Sequence, residues 1–413
     1  MIRKSLKNER KSICLFALLF LMYALIYMTK NCYSAAMAGI VAQGIMTKTE
    51  TGLIAAAFYI VYAPFQIVGG IAADRISPYK LLLFGTFGAA VCNLLVYFFS
   101  ENYVAMLVIW SLNAAIQFGI WPAIFKILTS QLCVVHRARA VFYISFSSTV
   151  GLILSYALAA IITDWRVNFL LSAIVLFLVF AVFAVIYGGL SKHMSEDPVP
   201  VRSVISEKKS QKGAFGMILR SGVPLLLIVY VIHGLFLLGI KALAPVMLME
   251  SYPQLSAGTA NALNIILIVA GPVGLILSRL PVFKRFSEPT VMAIMLAAIV
   301  PMMIVVAAVG RVDLWLVIAA LTLLSVAASL MGIYFSYVSK AFEAYGYSAT
   351  LAGLFNCMAA LGIVLANYVF ASVADNFGWG VTTNAWLVLA IAALVLTALT
   401  IPIWKNFKKK MDM

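Results

Sequence analysis

The run VNFLLSAIVLFLVFAVFAVIYG, residues 167–188, decides the fold class, because it contains 22 consecutive residues without a charge. A helix needs about 20 mostly apolar residues to cross a bilayer. Hydrophobic residues make up 64% of the 413-residue chain and charged residues 10%, whereas a soluble domain carries about 25% charged residues. The run is also twice as long as the strands of an outer-membrane barrel, which have about 10 residues. The sequence therefore predicts a helical membrane protein.

Twelve apolar runs of spanning length follow one another along the chain. They are residues 13–38, 52–73, 79–99, 103–129, 141–163, 167–188, 223–249, 258–278, 290–310, 314–338, 350–373 and 381–403. The longest polar stretch, residues 191–216, divides them six and six. We predict an all-α polytopic protein with an N-terminal six-helix bundle (1–190), a cytoplasmic linker (191–216) and a C-terminal six-helix bundle (217–413).

The two predicted halves resemble each other in sequence. GIAADR at residues 70–75 has the same glycine-to-arginine spacing as GLILSR at residues 274–279. An Asp-Trp pair follows the fifth run, and DNFGW follows the eleventh. Parallel repeats of this kind place a substrate site between the halves, near the bilayer midplane.

The distribution of basic residues predicts the orientation. The net charge is +15, which alone would also fit a nucleic-acid-binding protein. However, 23 of the 29 Lys and Arg residues fall on one predicted side, three on the other and three within spans. Cytoplasmic loops carry such an excess, so we expect a cytoplasmic-membrane protein with both termini cytoplasmic. The basic runs then face anionic lipid rather than nucleic acid.

The segment GGIAADRISPYK, residues 69–80, resembles the signature loop of the major facilitator superfamily. The resemblance implies that Gly70, Asp74 and Arg75 form a gate. An ordinary charged surface turn is the alternative interpretation.

A closer resemblance lies in the N-terminal half. YALIYMTKNCYSAAM (23–37) and QFGIWPAIFK (117–126) are similar to the first and fourth helices of the organophosphate:phosphate antiporter family, which has arginine in place of Lys30. That resemblance implies secondary exchange of an organic anion such as a phosphate ester. The family's second arginine falls on Leu237, with Lys241 one turn later on the same predicted face, and its histidine falls on Ser148.

Three lysines lie within predicted spans: Lys30, Lys126 and Lys241. A lysine in the middle of a spanning helix costs about 2.5–3.5 kcal/mol, so it normally faces a cavity and has a function. Lys126 lies close to a loop, where its side chain could equally extend to the interface. Lys30 and Lys241 are expected to face one central site. All 14 acidic residues fall in loops, tails or span ends, so the predicted cavity is positive and favours an anion.

The candidate substrate-binding residues are polar or aromatic positions within spans. They are Lys30, Lys241, Tyr23, Tyr27, Tyr62, Gln117, Trp121, Lys126, Ser148, His233 and Asn356. Asn113, Gln117 and Trp121 are spaced by four and are predicted to share a helix face. For His233, a neutral bridge between helices is the alternative.

Two other functions remain open on the sequence. One is proton-coupled transport of a neutral sugar or drug, with a lysine or His233 as the titrating group. The other is a transporter-derived sensor. We expect the protein not to be an enzyme, because the sequence contains no nucleophile elbow, paired mid-membrane carboxylate or phosphate-binding glycine loop. The five cysteines have no metal-ligand spacing, so we expect no metal or cofactor, and we expect a monomer.

Overall fold

The computed structural model describes residues 4–162, 164–196, 214–342 and 347–411, and within them the chain is almost entirely helical. The first six long helices are α1 (Glu9–Ala42), α2 (Lys48–Arg75), α3 (Pro78–Phe98), α4 (Tyr103–Ser130), α5 (Val134–Ile161) and α6 (Trp165–Ser191). The next six are α7 (Val223–Ser251), α8 (Ala257–Leu277), α9 (Glu288–Ala307), α10 (Leu314–Lys340), α11 (348–377) and α12 (379–411). A short helix, Ala214–Arg220, precedes α7.

These helices confirm the prediction of twelve membrane helices. Ten of the described segments are long and apolar enough to cross a membrane. The last of them, Thr350–Lys409, is two helices, because Gly378 has a φ of 79° and interrupts it. Only glycine adopts that backbone conformation at little cost. The 28-residue α2 completes the set, since at 1.5 Å per residue it is about 42 Å long.

Side-chain caps fix where several helices begin. The Thr47 hydroxyl accepts from the Glu50 backbone N–H at 3.1 Å, and the Glu50 carboxylate accepts from the Thr47 N–H at 2.9 Å. This capping box satisfies N–H groups that the first turn of α2 leaves without helical partners. Asp164 and Asp313 cap α6 and α10 in a simpler way. Acidic residues at helix starts therefore stabilise helix ends.

Three irregular turns interrupt the helices and change which residues share a face. A 3₁₀ turn, Gln117–Gly119, lies in α4, and π turns lie in α7 (Leu235–Gly239) and α11 (Leu365–Phe370). A 3₁₀ turn advances by about 120° per residue rather than about 100°, and a π turn inserts about one extra residue. Face predictions based on regular helical spacing fail across such turns.

Two short strands, which the sequence did not predict, join the N-terminal arm to the chain after α6. β1 (Lys4–Leu6) pairs antiparallel with β2 (Met194–Glu196), with Ser5 opposite Ser195. The Leu6 N–H also donates to the Gln131 carbonyl at 2.9 Å. The Ser12 hydroxyl, in the first turns of α1, accepts from the Cys133 N–H at 3.0 Å. The arm is thereby held against the connection between α4 and α5.

The chain forms two compact units. The first contains Met1–Arg202 with Ala257–Ala262, and the second contains Ser203–Ser256 with Leu263–Met413. Each unit has very close helix crossings at glycines, and one pair of them is equivalent in the two halves. A Cβ on Gly151 of α5 would lie 2.2 Å from the Ala24 carbonyl oxygen of α1, and a Cβ on Gly362 of α11 would lie 1.9 Å from the Val231 carbonyl oxygen of α7. The first and fifth helices of each half thus pack in the same way.

Candidate functional site

Lys30 of α1 lies among four aromatic rings of the first unit. Its Nζ is 3.6 Å from the ring centroid of Tyr62, 5.3 Å from Phe58, 5.4 Å from Tyr27 and 5.9 Å from Tyr59. Aromatic faces attract a cation within about 6 Å, and the interaction is worth about 2 kcal/mol when water is excluded. We call these four rings the Lys30 cage.

The Lys30 cage follows from helical spacing on two neighbouring helices. Tyr27 precedes Lys30 by three residues on α1, so the two side chains lie on one face. Phe58 and Tyr62 are four apart on α2 and are stacked at 5.7 Å. Within the part of the chain that the structure describes, Lys30 has no carboxylate partner and no hydrogen bond. The rings are therefore what stabilises its charge in this unit.

Two further predicted residues extend the Lys30 cage into one aromatic cluster. Tyr23 packs edge-on against Tyr27 at 5.7 Å, and its ring lies 5.2 Å from that of Trp121 on α4. The structure thus brings together Lys30, Tyr23, Tyr27, Tyr62 and Trp121. Sequence reasoning missed Phe58 and Tyr59, although their spacing to Tyr62 on a predicted span was a usable signal.

Gln117 and Ser148 have other contacts. The Gln117 amide nitrogen donates to the Asn113 side-chain oxygen at 2.8 Å, and both residues are buried. Trp121, beyond the 3₁₀ turn, packs on Tyr23 instead. The prediction that Asn113, Gln117 and Trp121 share one face is therefore wrong for Trp121, because the turn rotates the rest of α4 by about 60°. The Ser148 hydroxyl donates to the Ser145 carbonyl at 2.8 Å within α5.

Lys126 contacts the end of α2. Its ammonium group donates to the carbonyl oxygen of Ala73, in the last turn of that helix. The last four carbonyls of a helix lack helical partners, and a cation there is favoured by the helix dipole. Lys126 therefore holds the C-terminal end of α2, next to the segment predicted to form a gate.

Of the three predicted gate residues, the structure describes the surroundings of Gly70 and Arg75. Arg75 is exposed, and a Cβ on Gly70 would meet no atom within 4 Å. The close helix contact in this segment is instead made by Gly69, whose Cβ would lie 2.0 Å from the Phe118 carbonyl oxygen. The Asp74 side chain lies outside the described part of the structure. The gating role of Gly70, Asp74 and Arg75 stays a prediction.

Lys241 of α7 is buried, with 7% of its surface exposed. Its backbone carbonyl accepts from the Asn264 amide of α8 at 2.8 Å. Its Nζ lies beside Gly271 of α8, at 3.6 Å from where a Cβ of that glycine would be, and the Ser329 and Ser325 hydroxyls of α10 lie at 3.1 and 3.7 Å from the same point. Three helices of the second unit thus place an ammonium group and two hydroxyls around one glycine. The sequence did not predict the two serines.

A π turn, Leu235–Gly239, contains Leu237 and ends two residues before Lys241. The two residues were expected on the same helix face, four residues apart. Lys241 is buried, whereas Leu237 is half-buried. Because four residues are close to one full turn in a π helix as well as in an α-helix, the shared face of Leu237 and Lys241 stays a prediction.

His233 of α7 bridges two helices of the second unit. Its Nε2 lies 2.9 Å from the Ala328 carbonyl oxygen of α10. Because a carbonyl oxygen can only accept, Nε2 carries the proton and donates it. The ring is stacked on Tyr230 at 4.8 Å and is 1% exposed. This arrangement agrees with the alternative interpretation of His233 as a neutral bridge between helices.

Asn356 is exposed on α11. Among the described residues, no hydrogen bond connects Asn356 to Lys30 or Lys241.

Comparison with known families settles the class of protein. The sequence model of the Major Facilitator Superfamily matches residues 19–367. The chain belongs to the major facilitator superfamily. Membership places it among multi-pass membrane transporters rather than enzymes.

Two curated relatives resemble shorter segments of this member of the superfamily. It is 36% identical over 112 residues to "Membrane sensor protein UhpC" of Salmonella typhimurium, covering 27% of this chain and 25% of that protein. It is 26% identical over 130 residues to "Probable hexose phosphate transport protein" of Chlamydia trachomatis, covering 31% and 28%. The matched segments span about a quarter of the length of these relatives.

Solved structures share the fold over nearly the whole chain. A D-xylose-proton symporter matches with a TM-score of 0.71 at 17% identity, covering 96% of this chain and 99% of that one. The nucleoside transporter NupG matches with a TM-score of 0.71 at 15% identity, covering 96% and 99%. At this identity the likeness concerns the fold alone.

Proposed function

We propose that the protein is a secondary transporter that exchanges a small organic anion, a phosphate ester, for another anion by alternating access. It works in the cytoplasmic membrane with both termini in the cytoplasm. The observation that carries the proposal is the sign of the charge inside the spanning helices. Lys30 and Lys241 lie far from the ends of α1 and α7. In contrast, every acidic residue of the described spanning helices lies within four residues of a helix end.

The charge imbalance favours an anionic cargo. Charged residues in a membrane are paired or face a functional pathway. The Lys30 cage stabilises one cation through aromatic rings, and the Lys241 ammonium lies beside two hydroxyls. A bound anion would supply the negative charge that the helix interiors lack. A lysine acts as a compact point charge with three donors, so it suits a phosphate or carboxylate without fixing its orientation.

The relatives support a phosphate ester within that class. One is named a hexose phosphate transport protein and another a membrane sensor. Exchange is favoured over proton coupling because proton relays in membranes are usually built from Asp, Glu or His. The described spans have no central carboxylate, and His233 already donates its Nε2 proton to Ala328.

The test is counterflow in liposomes containing the purified full-length protein. Liposomes loaded with inorganic phosphate are expected to take up labelled glucose 6-phosphate, and a protonophore is expected to leave the uptake unchanged. Lys30→Ala and Lys241→Ala should abolish uptake while the proteins still insert and purify. Lys48→Ala, at the first residue of α2, is the matched lysine control and should transport normally. Wild-type uptake by both variants would refute the assignment, and collapse with the protonophore would favour the proton-coupled alternative.

A transporter-derived sensor is the second candidate, favoured by the 36% identity to a protein named as a membrane sensor. It predicts that glucose 6-phosphate raises the thermal stability of the purified protein by mass action. Counterflow by the same preparation would remain at the level of empty liposomes.

A further inference from the structure

The polar cluster around Gly271 has the composition of a binding subsite. We define the Gly271 cluster as Gly271, Lys241, Ser325 and Ser329, contributed by α8, α7 and α10. The Lys241 Nζ, Ser329 Oγ and Ser325 Oγ lie within 3.7 Å of the point that a Gly271 Cβ would occupy. Lys241 and Ser329 are each 7% exposed and Ser325 is 1% exposed. Burying polar groups costs folding free energy unless they form hydrogen bonds.

The path of the Lys241 side chain explains why its ammonium group lies there. The Lys241 backbone is fixed to α8 at Asn264 by a 2.8 Å hydrogen bond. Gly271 lies seven residues beyond Asn264, two helical turns along the same face of α8. The lysine stem therefore extends along α8, and its ammonium group lies where the glycine leaves room. A side chain at position 271 would occupy that room.

The two serines differ in what they can offer. The Ser325 hydroxyl donates to the Leu267 carbonyl at 2.7 Å, so only its lone pairs remain available. The Ser329 hydroxyl makes no hydrogen bond with any other residue that the structure describes, and it can donate. A lysine ammonium has three donors and no acceptor. The Gly271 cluster thus brings donors from Lys241 and Ser329 close to the same point beside α8.

We propose that the Gly271 cluster is the subsite of the second unit that binds the oxyanion end of the transported substrate. The Ser329 hydroxyl and the Lys241 ammonium donate to one phosphate or carboxylate group, and the absence of a side chain at Gly271 lets these two donors lie close together beside α8. This inference rests on the proposed anion transport and adds Ser329 and Gly271 to its binding residues. Charge-assisted hydrogen bonds of this kind are short and strong.

The test measures anion affinity by thermal shift of the purified full-length protein, with inorganic phosphate and glucose 6-phosphate as probes. Ser329→Ala removes one donor and is expected to raise the Kd about tenfold or more. Gly271→Ala is expected to do the same, because its Cβ would lie 3.1 Å from the Ser329 Oγ. Gly353→Ala of α11 is the matched control, since a Cβ there meets no atom within 4 Å, and its Kd should equal that of the wild type. Acetate, run in parallel, separates a carboxylate subsite from a phosphate subsite.

The outcomes distinguish the subsite from the transport proposal. If the wild type binds a probe and both Ser329→Ala and Gly271→Ala bind it as tightly as Gly353→Ala does, the subsite is refuted and anion transport stands. If Gly271→Ala is unstable without ligand, Ser329→Ala decides. If neither phosphate, glucose 6-phosphate nor acetate stabilises the wild type, both the subsite and the proposed function are refuted.

Discussion

The Trp379 indole nitrogen donates a 2.8 Å hydrogen bond to the Glu250 carboxylate, joining the start of α12 to the end of α7. Trp165 does the same for the first half, donating to the Gln43 side-chain oxygen at 3.0 Å between the start of α6 and the end of α1. Both indoles are largely buried. The repeat seen in the sequence thus extends to one hydrogen bond at the corresponding end of each bundle.

Replacing Trp379 by Phe should destabilise the protein more than the same change at Trp165. Each substitution keeps most of the ring and removes one donor. Hydrogen bonds to charged groups contribute about 1.5–3 kcal/mol, against about 0.5–1.5 kcal/mol for neutral ones. We therefore expect Trp379→Phe to lower the thermal midpoint in detergent by roughly twice as much as Trp165→Phe does. Equal decreases in the thermal midpoint for the two variants would show that the charge on Glu250 does not strengthen the Trp379 hydrogen bond.

The Lys30 cage predicts a coupling that a double-mutant cycle can measure. Tyr62 is the nearest ring, at 3.6 Å from Nζ. Tyr62→Leu should lower the free energy of unfolding by about 2 kcal/mol, because the lysine loses its closest π face. Tyr62→Phe keeps the face and should cost little. In a Lys30→Met background the cost of Tyr62→Leu should fall by about 1 kcal/mol or more. If the losses in the free energy of unfolding from the Tyr62 and Lys30 substitutions simply add, Tyr62 stabilises the protein by packing alone.

The sequence predicted the helices better than the strands and turns. Apolar runs identify spanning helices because a bilayer leaves the backbone few alternatives. β1 and β2 are three residues each and pair across about 190 residues of chain, so no local pattern indicates them. The π turn before Lys241 was equally invisible, since periodicity assumes regular helical bonding. Gly378, by contrast, lies between two predicted spans, where a break was expected.

The sequence predicted the charged residues of the candidate site but missed the uncharged residues that pack around them. Lys30 and Lys241 stand out because charge is rare in spans. Phe58, Ser325 and Ser329 do not stand out, because such residues occur throughout membrane helices as ordinary packing and hydrogen-bonding groups. Only the tertiary structure shows that Ser329 and Gly271 meet at the Lys241 ammonium group.

Lys126→Met should separate a structural lysine from a substrate-binding one. The Lys126 ammonium donates to the Ala73 carbonyl at the end of α2. Loss of that cation removes a favourable interaction of about 0.3–1 kcal/mol with the helix end. We expect a lower thermal midpoint with an unchanged Kd for glucose 6-phosphate, as measured by thermal shift. A Kd raised tenfold, as expected for Lys30→Met, would instead place Lys126 in the binding site.

Gly362→Ala should be among the most damaging single-methyl additions in the chain. A Cβ on Gly362 would lie 1.9 Å from the Val231 carbonyl oxygen and 3.0 Å from the Leu235 backbone nitrogen, so α7 and α11 would have to separate. Overpacking costs about 1–3 kcal/mol even where side chains can adjust, and backbone atoms adjust less. We expect little monodisperse protein by size-exclusion chromatography. Gly353→Ala, nine residues earlier on the same helix and facing open space, should yield as much protein as the wild type. Normal yield and midpoint for Gly362→Ala would show that this helix crossing is loose enough to admit a methyl group.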